Sequence, residues 1–144
     1  GSRSTDGSWG VYYAGESVET AIAETMYHRA RFLAATSEPA MEIDMRHYLA
    51  NLSASLHDVR GKQAELPGLY DPVDYSVAQR FARTLRTDNS WGIVYDSVRR
   101  PEGQCVAVFR PRALSNCRQS QHIPFVWDGS KMSGWYSKSA ITPV

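Results

Sequence analysis

The sequence predicts an α+β fold, with a mixed or antiparallel β-sheet core and flanking helices in a single compact domain. Segments with strand periodicity outnumber the two segments with helical periodicity, and most of the strands follow the second helix instead of alternating with helices. A length of 144 residues suits one domain, so we expect residues 1–144 to fold together. A hydrophobic fraction of 42% is sufficient for a buried core.

The first two elements are predicted to be a short strand and a long helix. Residues 11–14 combine β-branched and aromatic side chains, which is typical of a strand. Ser17 is a suitable N-cap for a helix that ends before Pro39. The apolar positions of this helix recur every three or four residues at Val18, Ile22, Met26, Ala30 and Leu33. Its polar face is predicted to carry Thr20, Glu24, His28 and Arg31.

A strand and a second helix are predicted in the middle of the chain. Residues 42–49 alternate apolar and polar side chains, as a half-buried strand does, whereas residues 52–59 favour neither class. After a loop marked by Pro67 and Pro72, an amphipathic helix is predicted to end at Asp88. Its apolar stripe consists of Val77, Ala78, Phe81, Ala82 and Leu85, and its outward face carries Arg80, Arg83 and Arg86.

Four more strands are predicted after the second helix. Residues 92–95 and 105–109 are two short apolar runs, and the polar segment between them contains Pro101 and Gly103, which favour a turn. Residues 123–127 and 132–136 form a second pair, joined by an Asp-Gly-Ser turn signal typical of a β-hairpin.

Composition and spacing exclude several classes of function. The formal net charge of +1 gives the chain no general attraction for nucleic acid, so we expect no direct nucleic-acid binding. No apolar run is long enough for a membrane span or a signal peptide, and we therefore expect a cytoplasmic protein without membrane association. The histidines and the two cysteines have no metal-ligand spacing, so we expect no metal. Neither a dinucleotide-binding glycine motif nor a phosphate loop is present.

Residue types and spacing alone do not identify an enzyme. Glu24, four residues before His28, is by periodicity an exposed helix residue, and Tyr13 is by position a sheet residue. Ser97 follows a predicted strand, where serine is common in turns, and no nucleophile-elbow motif surrounds it. Most of the basic residues are arginine, which suits bidentate recognition of phosphate but also fits an ordinary charged surface.

Several segments nonetheless resemble one known family. The run from Ser2 to Ala14, which contains Arg3 and Tyr13, and the run from Glu19 to Arg29, which contains Glu24, resemble the core signature of the RES domain family. The resemblance continues through residues 42–46, 56–61, 75–79, 92–99 and 106–111. RES domains are the toxins of Xre-RES toxin–antitoxin modules, they resemble ADP-ribosyltransferases in fold, and they act on NAD+.

The resemblance assigns the site residue by residue. The Arg, Glu and Ser that characterise the family match Arg3, Glu24 and Ser97, and a tyrosine on the strand before the Glu-bearing helix matches Tyr13. Ser76 matches a serine that recurs in some relatives, so either Ser76 or Ser97 is the serine of the reaction. Ser4 stands where the family usually has an aromatic residue. Many relatives have a preceding segment with a further Arg and Tyr, which we expect residues 1–144 to lack.

These residue types suit cleavage of the nicotinamide–ribose bond. A carboxylate such as that of Glu24 stabilises the positive charge that develops on the ribose. Arg3 is expected to grip the pyrophosphate, and Tyr13 to stack on nicotinamide or ribose. A hydroxyl of Ser97 or Ser76 is expected to bond the carboxamide or a phosphate oxygen. Arg29 and Arg46 are each expected either to form a buried ion pair or to contact the ligand, and neither role is favoured over the other.

The resemblance implies a toxin that consumes NAD+ as its substrate and arrests growth. ADP-ribose would pass to water or to inorganic phosphate, which makes the protein an NAD+ glycohydrolase or an NAD+ phosphorylase. One alternative is a mono-ADP-ribosyltransferase that modifies a host protein, and another is a partner-binding module without catalysis. The expected partner is an Xre-type antitoxin that inserts a segment toward the arginines of the site.

Overall fold

The computed structural model describes residues 1–138. This part of the chain contains nine β-strands, two α-helices and two short 3₁₀ helices. The strands and α-helices, in chain order, are β1 (Tyr12–Gly15), α1 (Val18–Thr36), β2 (Met41–Ile43), β3 (Arg46–Leu52), β4 (His57–Asp58), α2 (Ser76–Thr87), β5 (Gly92–Asp96), β6 (Gln104–Val108), β7 (Leu114–His122), β8 (Phe125–Trp127) and β9 (Met132–Trp135). The predicted α+β class is confirmed, as is the excess of strands over helices.

The chain divides into two compact units. The first comprises residues 1–23 and 52–114 and contains a four-stranded sheet in the order β1-β6-β5-β4. β6 runs antiparallel to both β1 and β5, whereas β4 pairs in parallel with β5. The sheet is therefore mixed, as predicted, and β5 and β6 form the predicted pair of adjacent strands.

The core of this unit lies between the sheet, α2 and the 3₁₀ helix at residues 67–70. Its buried members are Val59, Leu69, Tyr70, Ala78, Ala82, Ile93, Tyr95, Cys105, Ala107 and Phe109. α2 contributes its alanines to the core and leaves Arg80, Arg83 and Arg86 exposed. The predicted amphipathic pattern of α2 is thus confirmed except at Val77, which was expected in the apolar stripe but is 41% exposed. Burial of the rest of the stripe stabilises the helix.

The second unit comprises residues 24–51 and the chain from residue 115 onward. Its three-stranded antiparallel sheet has the order β2-β8-β9, and β8 and β9 are the predicted hairpin. Phe125 and Trp127 on the central strand are each 2% exposed, and the Trp127 indole donates to the carbonyl of Glu38 at 3.0 Å. β3 and β7 form a separate two-stranded ribbon.

The prediction of one strand over residues 42–49 was wrong. Ile43 is the last residue of β2 and pairs with Phe125, whereas β3 begins at Arg46 and pairs with β7. The chain leaves one sheet at Asp44 and enters another two residues later. Because side-chain alternation continues across this switch, the sequence resembles one strand.

β7 was not predicted. Its nine residues are polar and exposed over most of their length, so the strand lacks the apolar alternation by which strands are found. Pairing with β3 supplies the backbone hydrogen bonds that make it a strand.

The start of α1 was predicted correctly, but one of its residues was misplaced. Ser17 Oγ accepts the N–H of Thr20 at 3.2 Å, as an N-cap does. Thr20 was expected on the polar face but is fully buried, with its hydroxyl 3.0 Å from Ser17 Oγ. The Ser17 hydroxyl donates to Thr20 Oγ1, and this second bond gives the buried Thr20 hydroxyl a partner.

Candidate active site

Arg3 lies in a tight turn at the start of the first unit. The N–H of Ser2 donates to the carbonyl of Thr5 at 2.8 Å, which closes the turn around Arg3. The amide of Gln79 on α2 donates to the carbonyls of Ser2 at 2.7 Å and Thr5 at 3.2 Å. The turn that carries Arg3 is therefore anchored to α2.

The hydroxyl of Tyr13 bonds to both neighbours of Arg3. It accepts the N–H of Ser4 at 2.8 Å and lies 2.6 Å from Ser2 Oγ. Tyr13 stands on β1 opposite Ala107 of β6, and the residue is 38% exposed. The structure thus brings together Arg3 and Tyr13, two of the residues predicted for the site.

The guanidinium of Arg3 is held by the segment that leads into α2. Its Nη1 donates to the carbonyls of Leu69 at 2.9 Å and Asp71 at 3.0 Å. Its Cζ lies 4.6 Å from the centre of the Tyr75 ring, which is a cation–π contact. Among residues 1–138, neither Nε nor Nη2 of Arg3 donates a hydrogen bond. These two groups form an edge that can bind an oxyanion in bidentate fashion.

Tyr75 and Arg99 contribute to the surroundings of Arg3, and sequence reasoning missed both as site residues. Nη2 of Arg99 donates to the carbonyl of Pro72 at 2.6 Å and to the hydroxyl of Tyr75 at 3.2 Å. Tyr75 is therefore contacted on its ring by one arginine and at its hydroxyl by another. No local pattern reveals these contacts, because Arg99 and Arg3 lie 24 and 72 positions away from Tyr75 in the chain.

The two candidate serines occupy structurally different places. Ser97 Oγ accepts the N–H groups of Arg99 at 3.1 Å and Arg100 at 3.0 Å, as a turn serine does, and it thereby orients the backbone of Arg99. Ser76 is the exposed first residue of α2 and directly follows Tyr75. Its N–H donates to Asp74 Oδ1 at 2.9 Å. Ser76 is thus adjacent in sequence to Tyr75, which contacts Arg3, and Ser97 lies two residues before Arg99, which contacts Tyr75.

Carboxylates shape the loop between Leu69 and α2. Asp71 Oδ1 accepts the N–H groups of Val73 and Asp74 at 2.9 and 2.8 Å, and these bonds lower the pKa of Asp71. The bonds from Ser76 likewise lower the pKa of Asp74. Hydrogen bonding to the charged form favours ionisation, so both carboxyls stay charged and keep the loop closed.

Glu24 lies on α1 in the second unit, where it is half-buried rather than on a fully solvated face. A cavity of about 370 Å³ lies along one side of the helix and is lined by Thr25, His28, Arg29 and Phe32. Thr25 directly follows Glu24 in the chain. Arg29 is exposed, so the prediction of a buried ion pair as one of its two roles was wrong. Arg46 on β3 is exposed as well, which excludes a buried ion pair there.

Residues 1–138 contain neither a membrane-spanning helix nor a cluster of metal-ligating side chains. No helix among them is both long and apolar enough to cross a membrane. In that part of the chain, no group of three or more His, Cys, Asp or Glu side chains is arranged to hold a metal ion.

Two comparisons relate this chain to known proteins. The sequence model described as "RES domain" matches residues 1–128. The uncharacterized protein y4oC of Sinorhizobium fredii (strain NBRC 101917 / NGR234) is 28% identical over 138 residues, which are 95% of this chain and 56% of that protein. The chain therefore spans little more than half the length of this curated relative.

Proposed function

This chain belongs to the RES domain family, a toxin-like family associated with NAD-utilising enzymes, and on that premise we propose that it cleaves the nicotinamide–ribose bond of NAD+. Nicotinamide would leave, and the ADP-ribosyl group would be transferred to inorganic phosphate or to water. Loss of the cytoplasmic NAD+ pool would then arrest growth.

The arrangement around Arg3 is the observation that carries this proposal. Two carbonyl acceptors and the Tyr75 ring fix the guanidinium plane, and its Nε and Nη2 groups remain directed to a shared edge. A pyrophosphate needs such a planar, permanently charged donor pair. Tyr13, whose hydroxyl bonds beside Arg3, is 38% exposed, and its ring is proposed to stack on nicotinamide or ribose.

Glu24 is proposed to act on the reacting ribose. As the C–N bond to nicotinamide breaks, the bonding electrons leave with nicotinamide and the ribose gains oxocarbenium character. A carboxylate in a half-buried position stabilises this charge more strongly than one in bulk water. A phosphate or water oxygen then forms the new bond to the same carbon. A serine hydroxyl, from Ser97 or Ser76, is proposed to orient the substrate.

The proposed partner is an Xre-type antitoxin that blocks the site. A segment with a carboxylate would compete with pyrophosphate for the Nε and Nη2 edge of Arg3. This predicts that the bound antitoxin prevents NAD+ from reaching Arg3, which can be measured by NAD+ binding with and without the antitoxin.

The deciding experiment measures NAD+ consumption by the purified protein with and without inorganic phosphate, and separates the products by chromatography. Phosphate-dependent loss identifies a phosphorylase, and loss without phosphate identifies a glycohydrolase. Glu24→Gln should lower kcat about 10²- to 10³-fold, the usual effect of removing a group that stabilises transition-state charge. Glu19→Gln, in the exposed first turn of the same helix, is the matched control and should retain activity.

Two results would overturn this proposal. If Glu24→Gln turns over NAD+ at the wild-type rate, Glu24 has no catalytic role. If purified wild-type protein alone leaves NAD+ intact but transfers label from NAD+ to a protein when a lysate is added, the acceptor is a protein and not phosphate or water.

A further inference from the structure

The orientation of Arg3 depends on a side chain that is outside the set of predicted site residues. Both hydrogen bonds that hold the Arg3 guanidinium, to the carbonyls of Leu69 and Asp71, come from Nη1. They fix that end of the guanidinium, but the guanidinium can still rotate about it. Contact with the Tyr75 ring at 4.6 Å supplies the second constraint, because a guanidinium prefers to lie over an aromatic face.

Tyr75 is itself fixed at its hydroxyl. Arg99 Nη2 reaches that hydroxyl at 3.2 Å while it donates to the Pro72 carbonyl at 2.6 Å. Tyr75 is half-buried immediately before α2, and the carboxylates of Asp71 and Asp74 close the loop that precedes it. The ring therefore has constraints at both its backbone and its tip.

We propose that Tyr75 is a positioning residue for Arg3 and that Arg99 acts through it. The chain of contacts runs from Arg99 to the Tyr75 hydroxyl, and from the Tyr75 ring to the Arg3 guanidinium. Its effect is to present the Nε and Nη2 edge of Arg3 to a phosphate-bearing ligand. The assignment of that ligand as NAD+ rests on the proposed function, whereas the positioning of Arg3 does not.

This role predicts a particular kinetic pattern. Arg3 contacts the pyrophosphate, which does not change charge in the reaction, so a misplaced Arg3 weakens substrate and transition state equally. Tyr75→Leu should raise KM for NAD+ about tenfold and leave kcat within about twofold of wild type. Tyr75→Phe keeps the ring and loses only the hydroxyl, and should raise KM about threefold. Tyr48→Leu, at an exposed tyrosine of β3, is the control.

A double-mutant cycle tests the link to Arg99. Arg99→Gln should raise KM about as much as Tyr75→Phe does, and the combined variant should show little further increase because both remove one shared contact. Independent, multiplicative effects of the two substitutions on KM would show that Arg99 does not act through Tyr75. Since Tyr75→Phe preserves the ring and its packing, this cycle stays informative if Tyr75→Leu unfolds.

A readout without turnover separates this inference from the proposed function. The side-chain Nε–H resonance of Arg3 should carry a ring-current shift in wild-type protein, lose it in Tyr75→Leu and keep it in Tyr48→Leu. Binding of inorganic pyrophosphate should weaken about tenfold in Tyr75→Leu only. If Tyr75→Leu shows both effects but the wild-type protein does not turn over NAD+, the proposed function fails and the positioning role stands. If KM, pyrophosphate affinity and the Arg3 resonance are all unchanged in Tyr75→Leu, Tyr75 does not position Arg3.

Discussion

Three tyrosine hydroxyls organise the first unit, and each does so through a different kind of contact. Tyr13 bonds to the turn that carries Arg3, and Tyr75 bonds to Arg99. Tyr70 is buried, donates to the Val59 carbonyl at 2.5 Å and accepts the Asp96 N–H at 3.3 Å. Tyrosine suits these places because its hydroxyl can both donate and accept hydrogen bonds, and the ring of Tyr70 also packs in the core.

Tyr70→Phe should destabilise the protein by about 1–3 kcal/mol, because it leaves a buried carbonyl without its donor. Burial raises the pKa of Tyr70 above its ordinary value of 10. The contribution of the neutral phenol is therefore complete below about pH 10 and is lost as the pH rises through the raised pKa. Urea denaturation at pH 7 and pH 11 measures both effects, with the exposed Tyr12→Phe as control. A wild-type unfolding free energy in Tyr70→Phe would contradict the prediction.

At the scale of elements, two features control how α2 and the β5–β6 pair are placed. The exposed arginines of α2 were expected to be either phosphate ligands or a solvated face. All three are exposed, as a solvated face requires, but Arg83 also pairs with Asp6, and both Arg83 and Arg86 lie over the Trp9 ring, at 5.5 and 5.3 Å. They fasten the N-terminal segment, which carries Arg3, to the outside of α2.

Gly92 at the start of β5 is the position where the sheet is least tolerant of a side chain. Its φ is +152°, and a Cβ there would lie 2.2 Å from the Ala107 carbonyl oxygen of β6. Gly92→Ala should therefore cost roughly 2–4 kcal/mol, from the strained backbone and from the displaced β6. Gly134→Ala on β9, where an added Cβ meets nothing within 4 Å, should change stability by less than about 1 kcal/mol. Equal thermal midpoints for the two variants would refute this.

Across the whole molecule, several aspartates accept hydrogen bonds from nearby residues in loops and turns. Hydrogen bonds lower the pKa of five aspartates among residues 1–138, namely Asp6, Asp58, Asp71, Asp74 and Asp128. The largest shift is that of Asp58, whose bonds from Arg60 lower its pKa to about 2. Stability of the chain should consequently depend on pH in the acid range.

The direction of that dependence follows from the lowered pKa values. A carboxyl with a depressed pKa in the folded state stabilises the fold above its unfolded value of about 3.9, and this stabilisation is lost as pH falls. We expect a thermal midpoint that is nearly constant from pH 7 to pH 5 and declines from about pH 4 to pH 2. Asp58→Asn should flatten the decline, as scanning calorimetry at each pH would measure. A wild-type midpoint that is constant down to pH 2 would contradict this expectation.

Much of the fold was predictable because its signals are local. Both helices, the β5–β6 pair and the β8–β9 hairpin follow from apolar periodicity and turn residues. β7 and the break between β2 and β3 did not, since pairing partners distant in the chain determine them. Among the site residues, Arg3, Glu24, Ser97, Tyr13 and Ser76 came from the family resemblance, and their roles stay predictions, as does the likeness to the ADP-ribosyltransferase fold.

The sequence by itself determined the α+β class, the bounds of the two helices and membership in the RES domain family, because periodicity, capping and motif residues are written along the chain. Tertiary structure decided what surrounds Arg3. Tyr75 and Arg99 join it only because α2 and the turn after β5 fold against the same loop, at residues 69–75. Contacts between segments so far apart in sequence arise from the packing of the core, and no local pattern specifies them.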